Sequence, residues 1–128
     1  MNSKDQDFNC LVEHACSTLK QPHQAVKDKY IDFPVCYMRY RKDGTHSDSV
    51  EVSFDDIGAS ITFNMDRKGI CDNSSIYFYE SKDGDLFIDY LVKTAEHYSY
   101  KRKVWIMEGY FCAEMHEQKN GLHFYFVK

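Results

Sequence analysis

The segment Lys103-Val-Trp-Ile-Met-Glu-Gly-Tyr-Phe-Cys-Ala-Glu-Met-His-Glu-Gln-Lys-Asn-Gly-Leu-His-Phe-Tyr-Phe-Val-Lys128 predicts a β-hairpin in the last part of the chain. Its Asn120-Gly121 dipeptide is a strong hairpin signal, because both central residues of a type I′ turn need a positive φ. A two-residue turn predicts these pairs across the hairpin: Lys119 with Leu122, Glu117 with Phe124, and His116 with Tyr125.

Alternation along the two strands sorts the side chains into two faces, because successive residues of a strand point to opposite sides. The apolar face holds Trp105, Met107, Phe111, Ala113, Met115, Leu122, Phe124 and Phe126. The polar face holds Glu108, Tyr110, Cys112, Glu114, His116, His123 and Tyr125. We expect the apolar face to lie in the core and the polar face to form a rigid working surface.

A second hairpin is predicted earlier in the chain, with Asp43-Gly44 as the turn between Phe33 to Arg41 and Ser47 to Phe54. The implied pairs are Val35 with Val52, Tyr37 with Val50, and Arg39 with Asp48. The apolar side chains then share one face, which we expect to be core: Phe33, Val35, Tyr37, Val50, Val52 and Phe54. Such alternation is typical of antiparallel sheets that have one covered face and one face in water.

The remaining pattern adds helices and further strands: helices over Asp5 to Leu19 and His23 to Tyr30, and strands over Ala59 to Met65 and Ser75 to Glu80. The segment Asp85 to Tyr98 fits a strand or a helix, and its length favours a helix with Asp85 as N-cap. We predict a single α+β domain over residues 1–128. It has one antiparallel sheet of about six strands, with the N-terminal helix and a second helix packed on one face.

The composition favours a folded protein and argues against some partners. A hydrophobic fraction of 43% in 128 residues is enough to build a core. The net charge of −4 argues against nucleic acid as a partner, because nucleic-acid binders usually carry a basic domain or stripe. We interpret the dense basic run Lys101-Arg102-Lys103 as a solvated loop end. An acidic balance is compatible with a basic protein partner.

The cysteines and the apolar pattern predict a cytoplasmic protein. The 5 Cys residues are scattered and form no Cys-x-x-Cys pair, which is typical of reduced intracellular thiols. The first residues are polar and acidic and do not resemble a signal peptide. No apolar run is long enough for a membrane span, so we expect no membrane partner.

The polar face of the last hairpin is the first candidate for chemistry. Glu114 and His116 are two residues apart and therefore share a face, and the predicted register adds His123 and Tyr125 to it. A carboxylate beside a histidine can orient a general base, and two histidines with a glutamate can bind zinc. Polar residues are also the ordinary occupants of exposed strand positions, and we favour that interpretation over catalysis or a metal.

Other candidate sites have weaker patterns. Cys10 and His14 share a helix face, which is half of a metal site at most. Cys112 is a conceivable nucleophile, although a thiol in the middle of a strand usually packs. The acidic residues Asp83, Asp85 and Asp89 do not follow the calcium-loop spacing. We therefore expect no cofactor and no metal.

These features suggest a protein-binding inhibitor rather than an enzyme. The expected kind is a small immunity protein or antitoxin that neutralises a basic toxin or nuclease. The expected contact residues are Glu108, Tyr110, Glu114, His116, His123 and Tyr125, with Tyr77 and Tyr79 as alternates. One alternative is a small-ligand-binding or hydrolytic domain that uses Glu114 and His116 as an acid–base pair. Another is a structural subunit that oligomerises through an edge strand or exposed aromatic residues. The sequence leaves the oligomeric state open.

Overall fold

The computed structural model describes residues 3–42, 45–107, 109–117 and 121–128, without the side chains at positions 3, 40–42, 45, 46, 111, 113–117 and 121–123. In these ranges the helices are α1 (Ser3–Ser17), α2 (His23–Lys29) and α3 (Ser81–Thr94). The strands are β1 (Val35–Lys42), β2 (Thr45–Phe54), β3 (Ala59–Met65), β4 (Cys71–Phe78), β5 (His97–Ser99), β6 (Val104–Met107), β7 (Tyr110–Glu117) and β8 (Gly121–Val127).

The strands form one sheet in the order β1-β2-β3-β4-β8-β7-β6-β5, and all neighbouring pairs are antiparallel. The predicted α+β class with an antiparallel sheet is therefore confirmed. Over the described residues the sheet has eight strands rather than about six. One additional strand is the three-residue β5, which was not predicted. The other arises because the single long strand predicted from Lys103 onward forms two paired strands, β6 and β7.

The described helices cover one face of this sheet. From α1, the Phe8 ring lies 5.7 Å from the ring of Phe78 on β4. From α3, the Phe87 ring lies 4.7 Å from Phe124 on β8. After α2, Tyr30 stacks on Phe63 of β3 with a centroid separation of 5.2 Å. These aromatic side chains are buried, as are Val50, Val52, Ile61 and Ile76 on the same face. The opposite face carries no described helix, as the alternating pattern predicted.

The first hairpin has the predicted register, with Val35 opposite Val52 and Arg39 opposite Asp48. Arg39 Nε donates to Asp48 Oδ1 at 2.8 Å. The prediction that Tyr37 and Phe33 lie in the core was wrong, since they are 51% and 37% exposed. Tyr37 belongs to β1 and Phe33 precedes it. β1 is an edge strand, with a neighbouring strand on one side only. The predicted turn residues Asp43 and Gly44 lie outside the described residues.

The ambiguous segment is a helix over most of its length, as its length indicated. However, α3 begins at Ser81 with Glu80 as N-cap, one turn before the predicted Asp85. Asp83 then lies in the first turn, where a negative charge is favourable beside the free N–H groups of the helix. The helix ends at Thr94, and the last part of the predicted segment belongs to β5.

The sheet turns sharply at Gly109, which has a φ of 77°. Met107 pairs with Tyr110, so β6 and β7 form a hairpin with a two-residue turn. Such a turn pairs odd positions with even ones, and the face that holds odd positions before the turn holds even positions after it. Trp105 therefore faces the core together with Cys112, not with Phe111 as predicted.

The β7–β8 register also differs from the prediction by three residues. Glu117 pairs with Gly121 and His116 with Leu122, so the predicted pairs of Glu117 with Phe124 and of His116 with Tyr125 were wrong. The predicted turn residue Asn120 lies outside the described residues. This register sets Cys112 opposite Phe126, and both side chains are fully buried. Burial of β8 phenylalanines against β7 thus prevails over the local turn preference. Over the described ranges, no helix has the length and apolar character of a membrane span.

Candidate functional site

The structure separates the predicted constellation of the last hairpin. Positions 114 and 116 lie opposite Phe124 and Leu122, on the side of the sheet that the helices cover. His123 lies opposite Tyr77, and Tyr125 lies opposite Ser75, on the uncovered side. Directly opposed residues share a face. The prediction that Glu114 and His116 share a face with His123 and Tyr125 was therefore wrong, because it relied on the incorrect register.

Tyr110, another predicted contact residue, also leaves the predicted polar face. Tyr110 shares a face with Met107 and packs, half-buried, at the edge of the core. Its ring lies 5.8 Å from Lys128 Nζ. Glu108 lies outside the described residues. The turn at Gly109 explains the result for Tyr110, because it reverses which positions face the helices.

Three of the predicted tyrosines come together on the uncovered face, which we name the open face. Tyr77 belongs to β4 and Tyr79 follows it, and their ring centroids are 6.3 Å apart. Tyr125, on the neighbouring strand β8, is half-buried. Tyr79 is 44% exposed. The described part of the open face therefore presents aromatic rings on two adjacent, hydrogen-bonded strands, which hold the rings in fixed positions.

Carboxylates lie beside these rings. The Tyr79 hydroxyl donates to Asp55 Oδ1 at 2.8 Å. Partial burial raises the pKa of Tyr79, and the hydrogen bond to Asp55 raises it further, with a smaller contribution from the charge of Glu51. The phenol therefore stays protonated at neutral pH and keeps the proton that it donates to Asp55.

A β-bulge adds a further carboxylate. Asn64 pairs with Asn73 and Met65 with Cys71, so Asp72 is an extra residue on β4. A bulge of this kind redirects a side chain that strict alternation would turn to the other face. Burial raises the pKa of Tyr125, and the negative charge of Asp72 adds to this rise. Alternation alone does not predict a bulge, so the sequence did not reveal this effect of Asp72 on Tyr125.

A ladder of side-chain hydrogen bonds crosses the open face on β2, β3 and β4. Ser49 Oγ donates to Asn64 Oδ1 at 2.7 Å, and Asn64 Nδ2 donates to Asn73 Oδ1 at 2.8 Å. Polar groups that are satisfied by one another fix side-chain positions and stiffen the strands that carry them. The open face is therefore polar and locally rigid.

The charge of the open face is negative where its side chains are described. Its strand positions with described side chains include Glu51 and no Lys or Arg. Asp55 accepts a hydrogen bond from Tyr79, and the charge of Asp72 acts on Tyr125. Alternation with the buried residues Val50 and Val52 turns Glu51 to the open face. Alternation does not reveal the proximity of Asp55 to Tyr79, because this contact joins two separate turns.

The helix candidate Cys10 and His14 has a structural explanation. His14 Nδ1 lies 2.8 Å from the Tyr30 hydroxyl, so the imidazole is held by a phenol. Burial raises the pKa of Cys10, which disfavours the thiolate that a metal needs. Cys112 is fully buried, which argues against a nucleophile that meets substrate. Among the residues with described positions, no group of three or more His, Cys, Asp or Glu side chains is placed to hold a metal ion.

A groove of about 670 Å³ lies beside the C-terminal part of α1. Its polar lining comes from Glu13, His14, Ser17, Lys29 and Glu96, and Met107 and Tyr110 contribute apolar surface. Lys29 Nζ donates to Ser17 Oγ at 2.9 Å, and burial lowers the pKa of this lysine. The groove is on the helix-covered side and is separate from the open face.

No family model, curated protein or solved structure matches this chain.

Proposed function

We propose that this protein is a cytoplasmic protein-binding inhibitor, similar in role to a small immunity protein or antitoxin, that neutralises a basic toxin enzyme. The observation that carries the proposal is the open face, where tyrosines and carboxylates adjoin on strands that no described helix covers. Tyr77, Tyr79 and Tyr125 form its centre, and the position of His123 adjoins Tyr77 in the register.

Tyrosine is well suited to such a surface. It brings a large ring and a polar hydroxyl at a low cost in conformational entropy, and it is enriched among the residues that dominate binding energy. The hydrogen bond between Tyr79 and Asp55 holds the ring before binding. An already ordered contact group loses less entropy when a partner arrives.

The charges support a basic partner. Asp55 holds the Tyr79 hydroxyl, the charge of Glu51 acts on Tyr79, and the charge of Asp72 acts on Tyr125. The whole chain has a net charge of −4. Carboxylates of this kind attract lysine and arginine side chains and speed the encounter with a positively charged surface. An inhibitor needs only such a complementary surface and no catalytic group of its own.

The test is capture of the partner from the cells that produce the protein, under reducing conditions, with mass spectrometry as the readout. We expect one stoichiometric basic protein that is released by high salt and whose enzymatic activity the wild-type chain inhibits. The triple variant Tyr77→Ala, Tyr79→Ala, Tyr125→Ala should not capture it, whereas Tyr37→Ala on the edge strand β1 should. Equal capture by the triple variant, or recovery of the protein alone, would contradict the proposal.

A further inference from the structure

An aromatic corner lies at the β5 end of the sheet, far along the strand order from β1. It consists of Tyr98, Tyr100 and Trp105. The Tyr98 ring centroid is 5.1 Å from Tyr100 and 5.1 Å from Trp105. Tyr98 is opposite Trp105 in the register, on the side that the helices cover, so the aromatic corner is separate from the open face.

The aromatic corner forms one wall of a groove of about 350 Å³. Val92 and Ala95, at the end of α3, contribute to the groove as well. Tyr100 is 84% exposed and Val92 is 67% exposed, so apolar surface meets solvent at this place. A groove with aromatic and aliphatic walls favours a flat ring, because a ring can stack on an exposed aromatic face and displace water from both surfaces.

The loop that joins β5 to β6 adds positive charge to the same corner. It contains Tyr100 followed by Lys101, Arg102 and Lys103, and all three cations are exposed. The loop is tightly closed: the Lys103 N–H donates to the Ser99 carbonyl at 2.7 Å, and Lys103 has a φ of 59°. Three positive charges are thereby confined to one turn of chain between the two groove residues Tyr100 and Trp105, in a protein that is acidic as a whole.

We propose that the aromatic corner binds a nucleotide, with the base in the groove against Tyr100 and the phosphate at the Lys101–Lys103 loop. A stacking ring next to lysine and arginine is the usual solution for an unpaired nucleotide. An apolar ligand would leave the cations unused, and an inorganic anion would leave the rings unused. The same chemistry occurs in a free mononucleotide and in an unpaired nucleotide of an RNA strand.

One groove residue offers a polar contact for the base. Glu96 lines the groove with an exposed carboxyl group, whose oxygen atoms can accept a hydrogen bond. Adenine, cytosine and guanine can donate to it through an exocyclic amino group, and uracil can donate through its ring N3–H. Glu96 can therefore hold any of these bases in the groove by one N–H group.

The test uses the fluorescence of Trp105, which is the single tryptophan of the chain and lines the groove. AMP, UMP and single-stranded oligo(rA) of about eight nucleotides are titrated at low salt, with excitation at the red edge of tryptophan absorption, where bases do not absorb. We expect a saturable change in emission with AMP or with oligo(rA). Saturation with AMP identifies the free nucleotide as ligand, and saturation with oligo(rA) alone identifies an RNA strand.

Two variants and two controls separate stacking from charge. Tyr100→Ala should weaken binding by about fivefold or more, the lower end of the cost of one lost base–aromatic stack. Lys101→Glu with Lys103→Glu should weaken binding further and reduce its dependence on salt. Tyr37→Ala and Lys82→Glu, which make matched changes elsewhere on the surface, should bind like the wild type.

Some outcomes would overturn this inference. The first is the absence of a saturable response to all three probes, and the second is an equal response from wild type and from either corner variant. Because Tyr100 is 84% exposed, its truncation should leave the circular dichroism spectrum unchanged, so a loss of binding cannot be attributed to misfolding. The inference does not depend on the inhibitor proposal, since partner capture through the open face uses other residues.

Discussion

The Tyr79 hydroxyl donates a 2.8 Å hydrogen bond to Asp55 Oδ1, and this contact joins the end of β4 to the turn between β2 and β3. It fixes an exposed aromatic ring and an acceptor side by side on the open face. If the open face binds a partner, the hydroxyl is a group whose removal weakens binding without damage to the fold.

Tyr79→Phe tests this expectation, because it removes the hydroxyl and keeps the ring. We expect the affinity for the captured partner to fall by about fivefold to tenfold, which is the cost of one net hydrogen bond between the partner and this hydroxyl. The free energy of unfolding should change by less than about 0.5 kcal/mol, as is usual for exposed groups. Titration calorimetry and urea denaturation give the two quantities. An unchanged affinity would exclude the hydroxyl from the interface.

The histidines predict how stability depends on pH. Burial lowers the pKa of His14, with the charge of Lys29 as the next cause, and burial followed by the charge of Lys27 lowers the pKa of His23. The unfolded chain therefore binds protons at a higher pH than the folded chain does. The free energy of unfolding should decrease as the pH falls through the ordinary histidine value of about 6.5.

Urea denaturation at about pH 8 and about pH 5, on either side of that value, measures this loss. The variants His14→Gln and His23→Gln should each reduce the loss of stability, and the double variant should reduce it most. A double variant that loses as much stability as the wild type would show that other groups cause the dependence.

The cysteines should differ in their reaction with a thiol reagent. Cys36 is exposed and should react first in the native protein. Cys16, Cys71 and Cys112 are buried, and burial raises the pKa of Cys16 and Cys71 to about 12. These three thiols should react only after unfolding. Mass spectrometry of peptides after a short labelling pulse reads each site, and rapid native labelling of Cys112 would contradict the β6–β7 register.

The contact between α3 and the sheet should contribute strongly to stability. Phe124 is fully buried, and its ring centroid is 4.7 Å from that of Phe87. Phe124→Ala should cost about 3–5 kcal/mol in the free energy of unfolding. Tyr125→Ala, one residue further on the open face, should cost about 1 kcal/mol. Equal losses would show that the helices do not pack on the side assigned to them.

Local patterns in the sequence predicted much of this fold. Alternation identified β3 with its observed bounds, and the first hairpin pairs Val35 with Val52 as predicted. Helical spacing located α1 and α2 to within a few residues. These predictions succeeded because short-range periodicity reflects which side of each element is buried.

The candidate site was less predictable, because it depends on register across turns. The two-residue turn at Gly109 exchanges the faces of odd and even positions. The pairing of Glu117 with Gly121 then differs by three residues from the predicted β7–β8 register. A change of register by an odd number of residues moves a whole strand's side chains to the other face. Tyr77 and Tyr79 kept their predicted surface because β4 precedes both turns.

The open face is tested by the affinity of the purified partner for three forms of the protein. These are the wild type, the triple variant Tyr77→Ala, Tyr79→Ala, Tyr125→Ala, and the control Tyr37→Ala, all measured by titration calorimetry. We predict that the triple variant binds at least about a hundredfold more weakly, because such aromatic residues commonly dominate an interface. The control should match the wild type. Equal affinity of the triple variant and the wild type would contradict a role of the open face in binding.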